Sequence, residues 1–251
     1  MTDPGPLLEV RALSKRFGRL VVVDDLGFDV AAGEALGVVG PNGAGKSTML
    51  DLIAGVLRAD AGEVRFGGSD VTALAAADRC RAGIGRSYQI PRPFTRMTVF
   101  ENVLVGARFG ASRRGQRGYE TAYTALTRAG LEAMADRPAG SLRLLDLKRL
   151  ELARALATDP QLILLDEIAG GLSEAELPAL VESIRGLRDG GVAVIWIEHI
   201  VHALLAVVDR LMCLTYGRML ALGDPQEVIR SPEVVEVYLG STVEAGEGDV
   251  A

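Results

Sequence analysis

The stretch Gly40-Pro41-Asn42-Gly43-Ala44-Gly45-Lys46-Ser47-Thr48 decides how this chain is read. Glycines at this spacing, closed by Gly-Lys-Ser, let successive backbone N–H groups turn inward around a chain of phosphates. Lys46 adds a point charge for the outer phosphates and Ser47 a hydroxyl for Mg²⁺. The helix opening at Lys46 adds the positive end of its dipole. The flanks agree: residues 34–39 read as a short buried strand and 48–57 as an amphipathic helix. A glycine-rich turn without a ligand is the plain alternative. Strand, loop and helix arriving in the order the mechanism needs favour a nucleoside triphosphate.

Working outward, 251 residues with 49% apolar content give room for one large α/β unit with a buried core. The formal net charge of −6 argues against a nucleic-acid surface, for which a basic stripe is expected. Residues 1–10 lack a basic leader, and no apolar run is long enough to cross a bilayer, so the chain is expected in the cytosol with no transmembrane segment of its own. Cys80 and Cys213 lie far apart without metal-ligand spacing and read as reduced structural thiols.

Upstream of the loop, 8–13, 21–23 and 26–30 read as antiparallel strands, with Gly18 and Asp24-Asp25 as turn signals. Phe17 falls on the basic turn Lys15-Arg16-Phe17-Gly18, where its ring either stacks on a nucleotide base or packs. Downstream, 62–66 reads as a strand, 73–81 as a helix and 84–88 as a strand ending at Gln89. Pro91 and Pro93 then stop regular structure. From about 91 to 158 the pattern is helical, an insertion in the α/β core, with a basic stretch at 112–118. Arg113, Arg114 and Arg117 read as a solvated loop, a lipid-headgroup contact being the sharper alternative. The α/β pattern resumes with Leu162-Ile163-Leu164-Leu165, a helix at 174–188, a strand at 192–197, a helix at 201–208 and strands at 211–215 and 219–222. Helices at 225–230 and 232–239 close the fold at about residue 240, and 241–251 reads as a disordered tail.

The chemistry concentrates at strand ends. Asp166 ends an apolar strand more than a hundred residues after Lys46, as expected of a carboxylate that holds Mg²⁺, and Glu167 next to it is placed to polarise an attacking water. Paired acids directly after four buried aliphatics are costly unless a cation compensates. His199 follows the next strand and can bond a γ-phosphate. With His202 it forms His-x-x-His, but the chain has no third histidine and no cysteine at ligand spacing, so a metal site is not expected there. Gln89, at the start of the insertion, can reach Mg²⁺ or the attacking water.

Together these residues resemble the ATP-binding cassette ATPases over nearly the whole chain, with the closest likeness to the ATPase subunits of importers for branched-chain and related hydrophobic amino acids, amides or urea. The motifs that carry the likeness are 40–48, Arg86-Ser87-Tyr88-Gln89-Ile90-Pro91-Arg92-Pro93-Phe94 leading to Met97-Thr98-Val99-Phe100-Glu101-Asn102-Val103, Lys148-Arg149-Leu150-Glu151-Leu152-Ala153-Arg154-Ala155-Leu156-Ala157-Thr158, and Glu198-His199. The resemblance implies an α/β phosphate-loop NTPase core, with a mixed sheet, an antiparallel N-terminal β-subdomain and an inserted helical subdomain. It also implies ATP and Mg²⁺ as ligands and hydrolysis coupled to transport at the cytoplasmic face of a membrane. Phe17 becomes the adenine-stacking aromatic, Gln89 the Q-loop glutamine, Asp166 and Glu167 the Walker B pair and His199 the switch histidine. Implied partners are transmembrane permease subunits, a second ATPase subunit and, indirectly, an extracytoplasmic solute-binding protein.

The chain departs from the family pattern at its signature, usually Leu-Ser-Gly-Gly-Gln. Here that segment is Leu142-Arg143-Leu144-Leu145-Asp146, so Arg143 and Leu145 stand where a serine and a glycine would touch the partner's γ-phosphate. Ile168 stands where proline commonly follows the glutamate, and Ser173 where the D-loop aspartate would be. The expectation is an asymmetric dimer with a non-identical ATPase subunit. Competing functions are a soluble cassette ATPase outside transport, which usually carries two cassettes or a long coiled-coil insertion, and a small-molecule kinase, which would need an acceptor site in place of Gln89 and His199.

Overall fold

A computed structural model describes residues 5–237. Among the described residues, ten strands form two sheets. The N-terminal sheet is antiparallel, in the order β2-β1-β4-β5, from β1 (Leu8–Phe17), β2 (Leu20–Val30), β4 (Ala61–Phe66) and β5 (Ser69–Asp70). The second has six strands in the order β10-β9-β3-β8-β7-β6, from β3 (Ala35–Val39), β6 (Ile84–Arg86), β7 (Leu162–Asp166), β8 (Ala193–Ile197), β9 (Arg210–Thr215) and β10 (Arg218–Gly223). Its five strands from β9 to β6 run parallel, and β10 closes one edge antiparallel to β9. All five residues of β3, of β7 and of β8 are buried, as expected of parallel strands covered on both faces.

Alternation along these strands divides the core. Leu36, Val38, Leu164, Ile195 and Leu214 face the N-terminal sheet and Met49, Leu50 and Ile53 of α1 (Lys46–Ile53). Val39, Ile163, Leu165, Val194, Trp196 and Cys213 face the helices on the other side. These include α3 (Val99–Val105), α4 (Gly115–Arg128) and α5 (Leu144–Leu156), the helical segment between β6 and β7, together with α6 (Leu177–Asp189) and α7 (Val201–Leu205). Further helices are α2 (Ala76–Ala82) and α8 (Pro225–Arg230), and residues 232–237 are helical as well.

Four local readings are corrected. Asp24-Asp25 is no turn: β2 runs straight through it, and the shift is absorbed in the pairing with β1, where Ala12 and Asp25 take left-handed φ values of 48° and 53°. Phe17 accordingly ends a ten-residue strand and pairs with Leu20 across the hairpin. The helix expected at 201–208 is only Val201–Leu205. The basic stretch at 112–118 is partly helical, because α4 starts at Gly115. Between α3 and that stretch lies one turn of π-helix, Gly106–Gly110, pressed so closely on α5 that a Cβ on Gly106 would stand 2.5 Å from the Arg154 carbonyl oxygen. The last residues of the expected 232–239 helix and the tail 241–251 lie outside the described residues.

Candidate nucleotide site

Parallel strands deliver their C-terminal ends to one edge of the sheet, and the sequence-predicted residues meet there. After β3 the loop 40–48 wraps the start of α1, and its residues 42–48 line a cavity of about 190 Å³ with Val22 and Glu167. Two of its glycines are required by the fold itself: a Cβ on Gly40 would stand 2.1 Å from the Leu214 carbonyl oxygen, and one on Gly45 2.4 Å from that of Val22. Gly43 differs, having a φ of 79° and open space where a Cβ would be. Lys46 is 5% exposed and donates from Nζ to the carbonyls of Gly40 (2.7 Å) and Pro41 (2.9 Å). Burial pushes its pKa down against the opposing pull of Glu167 and Asp166. Phosphate oxygens would be stronger acceptors for the same ammonium than two carbonyls.

Ser47 Oγ donates to Asp166 Oδ1 at 3.2 Å. A hydroxyl and a carboxylate converging beside a phosphate cradle form a hard oxygen donor set of the kind that suits Mg²⁺. Burial pushes the Asp166 carboxyl up, opposed first by Arg86. Gln89, expected near the same cation, instead donates from Nε2 to Glu167 Oε2 at 2.5 Å. His199 Nε2 lies 2.8 Å from Glu167 Oε1, so the two side chains hold one carboxylate from both sides. Glu167 has a left-handed φ of 45°, which turns its side chain away from the Asp166–Ser47 pair and toward them. A carboxylate fixed in this way beside the phosphate cavity has the geometry of a general base awaiting a water.

Phe17 is 49% exposed and does not line the cavity; Lys15 Nζ lies 5.7 Å from its ring centroid. Arg143 is the exposed N-cap residue of α5 and makes no side-chain cap bond. Leu144 reaches Gly171 in the loop after Glu167, and Asp146 sits 3.7 Å from Arg149. No atom of 142–146 joins the cavity of its own chain.

Three charges at this edge, two buried and one partly so, were given no role by sequence reasoning. Glu198 accepts from the N–H of Ala169 (2.6 Å) and of His199 (3.2 Å), tying the loop after Glu167 to the histidine, and burial pushes its carboxyl up. Lys148, 4% exposed on α5, donates to the Gln89 carbonyl at 2.6 Å. Arg86 contacts Asp51 and Asp166. The only signal for Glu198 was a charge directly after a short apolar strand, and for Arg86 a charge inside the strand read at 84–88; Lys148 gave none, because a lysine on a helix ordinarily reads as solvated.

The link that starts at Gln89 is pinned at several points. Arg154 donates to the Arg92 carbonyl (2.8 Å) and lies over the Phe94 ring (5.3 Å). The buried Asn102 accepts from the Phe94 N–H and donates back to the Phe94 carbonyl. Beside the link runs a groove of about 340 Å³ lined by Val56, Arg86, Tyr88, Phe109, Glu151 and Arg154, among others. Phe109 is 74% exposed and Tyr88 46%. Among the described residues, no helix is long and apolar enough to cross a membrane.

A family model described as ABC transporter matches residues 23–170, and one described as branched-chain amino acid ATP-binding cassette transporter matches 218–244. The lipopolysaccharide export system ATP-binding protein LptB of Acidithiobacillus ferridurans is 37% identical over 234 residues, covering 93% of this chain and 97% of its own. The high-affinity branched-chain amino acid transport ATP-binding protein LivG of Escherichia coli K12 is 33% identical over 250 residues, covering 94% and 98%. A solved ATP-binding cassette of an ABC transporter, in its ADP conformation, superposes with a TM-score of 0.86 at 30% identity, covering 94% of this chain and 99% of that one.

Proposed function

The chain belongs to the ATP-binding cassette (ABC) transporter ATPase family, and from that premise we propose that it powers uptake of branched-chain or related hydrophobic amino acids through partner permease subunits at the cytoplasmic face of a membrane. The observation that carries the choice of solute is the match of residues 218–244 to the branched-chain amino acid transporter model, because that segment lies outside the nucleotide site and the motifs all such ATPases share. The apolar groove beside the link is the surface we assign to a cytoplasmic helix of the permease. The similarity to an export ATPase supports a second reading, that the chain drives movement outward.

In this proposal the N–H groups of 43–48 and Lys46 bind the triphosphate of ATP, with Phe17 stacking on the adenine. Ser47 and Asp166 hold Mg²⁺, which when bound neutralises phosphate charge. Glu167 takes a proton from the attacking water, worth about 10²–10⁴-fold in rate. His199 and Gln89, both bonded to Glu167, orient that carboxylate, and a γ-phosphate competing for His199 frees one of its oxygens. The altered signature at 143–146 supports pairing with a non-identical ATPase subunit, so that the defect is confined to one of two sites.

Affinity purification of the tagged chain from detergent-solubilised membranes tests the proposal. Multi-span permease subunits, a second ATPase and an associated amino-acid-binding protein are the expected companions. Recovery with lipopolysaccharide export components, or with no membrane protein at all, would overturn it.

A further inference from the structure

Between the groove and the carboxylates lies a side chain that the reaction above does not use. Arg86 ends β6, has a side chain only 9% exposed, and lines the groove together with Tyr88. Its guanidinium carbon lies 5.1 Å from the Tyr88 ring centroid. Nη1 donates to Asp51 of α1 at 2.5 Å, Nη2 reaches Asp166 Oδ2 at 3.5 Å, and Nε is buried without a partner. Two carboxylates thus share one guanidinium unequally, the short bond going to the phosphate-loop helix and the long one to the residue placed to hold Mg²⁺.

Asp166 has one oxygen toward Ser47 and the other toward Arg86. A bond to the second oxygen fixes the rotation that presents the first, which is how an outer partner orients a metal-binding carboxylate. Of the other charges, Glu167 and Asp51 oppose that of Asp166, and the Lys46 ammonium donates to the carbonyls of Gly40 and Pro41. Tyr88, half exposed, is the part of the arrangement that anything seated in the groove would touch. The cation–π contact ties the guanidinium to that ring. We propose that Arg86 is a positioning residue for Asp166, setting the carboxylate that holds Mg²⁺ and reading, through Tyr88, whether a permease segment fills the groove. The second half of this proposal rests on the docking surface assigned above; the first half does not.

The test uses the full-length chain carrying Glu167→Gln, titrated with a fluorescent ATP analogue first in EDTA and then at rising Mg²⁺. Arg86→Gln should bind the analogue in EDTA like its parent but need about 10-fold more Mg²⁺ or beyond, the usual size for loss of an outer-shell partner. Arg86→Lys should recover part of the shift. Asp51→Asn, which frees the guanidinium for Asp166, should need no more Mg²⁺ than the parent. An unchanged requirement in Arg86→Gln, or equal shifts in Arg86→Gln and Asp51→Asn, would mean that Arg86 is only a strut between β6 and α1, and would overturn the proposal. If Arg86→Gln does not fold, Arg86→Lys compared with Asp51→Asn decides on the same terms. In the purified permease complex, Tyr88→Leu should lose stimulation of hydrolysis while its isolated chain keeps the parental Mg²⁺ requirement, and full stimulation would overturn the groove half. A wild-type preparation that contains no permease would instead refute the docking surface, leaving the Mg²⁺ titration to judge Arg86 and Asp166.

Discussion

Helix α1 opens out of a loop whose glycines leave the backbone bare, whereas α5 opens at the N-cap Arg143 with Leu144 and Leu145 as its first two residues. Both helices carry unpaired N–H groups and a positive dipole end at the N-terminus, and that of α1 opens onto the phosphate cavity. In the first, Gly40 and Gly45 approach neighbouring carbonyls too closely for any Cβ, and Gly43 faces open space. In the second, a bulky aliphatic and the acidic Asp146 stand in the first turn. Under the proposed head-to-tail pairing, α1 serves this chain's own nucleotide and α5 the partner's. On that pairing, the chain follows the family pattern where it acts within itself and departs from it where it would act on another subunit.

The largest expected effects lie at the first helix. Lys46→Ala should remove detectable ATP binding, because the ammonium neutralises phosphate charge in the ground state. Glu167→Gln should keep binding and lower turnover by about 10²–10⁴-fold, the usual contribution of a general base. Nucleotide titration and phosphate release measured on the same preparations separate the two. Wild-type turnover in Glu167→Gln would show that another group is the base and would break the comparison at its firm end.

Next in size is the signature. The isolated chain should bind ATP and hydrolyse it feebly. Arg143→Ser with Leu145→Gly should raise the rate by about 10²-fold, the size associated with one preorganised donor. Robust, Glu167-dependent hydrolysis by the wild-type chain alone, unchanged or reduced by that double substitution, would mean that the guanidinium of Arg143 does the serine's work and that a homodimer suffices.

Much of this comparison was legible in the residues. The phosphate loop announces itself because its glycines, lysine and serine are needed together, and the parallel strands do so because five-residue aliphatic runs have few other uses. Asp24-Asp25 misled because a bulge uses the same residue types as a turn. The contacts of Glu198, Lys148 and Arg86 were out of reach for another reason: burial of a charge depends on what packs over it, and those covers come from segments 29–80 residues away. Phe109 in the groove was hidden similarly, since its π-turn is forced by the closeness of α5 and not by local propensity. The meaning of 142–146 came only through the family resemblance, because a leucine-rich helix start carries no chemical signal of its own.

A smaller pair of effects separates the roles of the glycines in the first loop. Gly45→Ala should cost about 1–3 kcal/mol of stability, the scale of a strained backbone position, because its Cβ would strike the Val22 carbonyl at a φ of 97°. Gly43→Ala should cost about 1–2 kcal/mol, only the left-handed penalty, yet it should weaken ATP binding, since its new methyl group points into free space beside the cavity. Thermal unfolding with and without ATP reads both. Equal losses of stability with no loss of affinity at residue 43 would mean that the loop's bareness serves packing alone.

The smallest effect concerns Arg143 taken by itself. It occupies the N-cap of α5 in an extended conformation without bonding any N–H of the first turn. Serine at an N-cap accepts from the second or third N–H and is commonly worth about 0.5–2 kcal/mol over a residue that cannot. Arg143→Ser should therefore raise stability, and the melting temperature by about 2–4 °C per kcal/mol gained for a chain of this size. Such a gain would show that arginine is not kept here for folding, which leaves recognition of something outside the chain as the reason for it. The competing account is local: Glu176, whose carboxyl is held below its ordinary value first by its bonds to Ser173, also feels the charge of Arg143. Arg143 is exposed and Glu176 half-exposed, and attraction between charges so open to water contributes little. A fall in melting temperature on Arg143→Ser that is absent in Glu176→Gln, and absent again when both are changed, would assign Arg143 to that pair and remove it from the comparison.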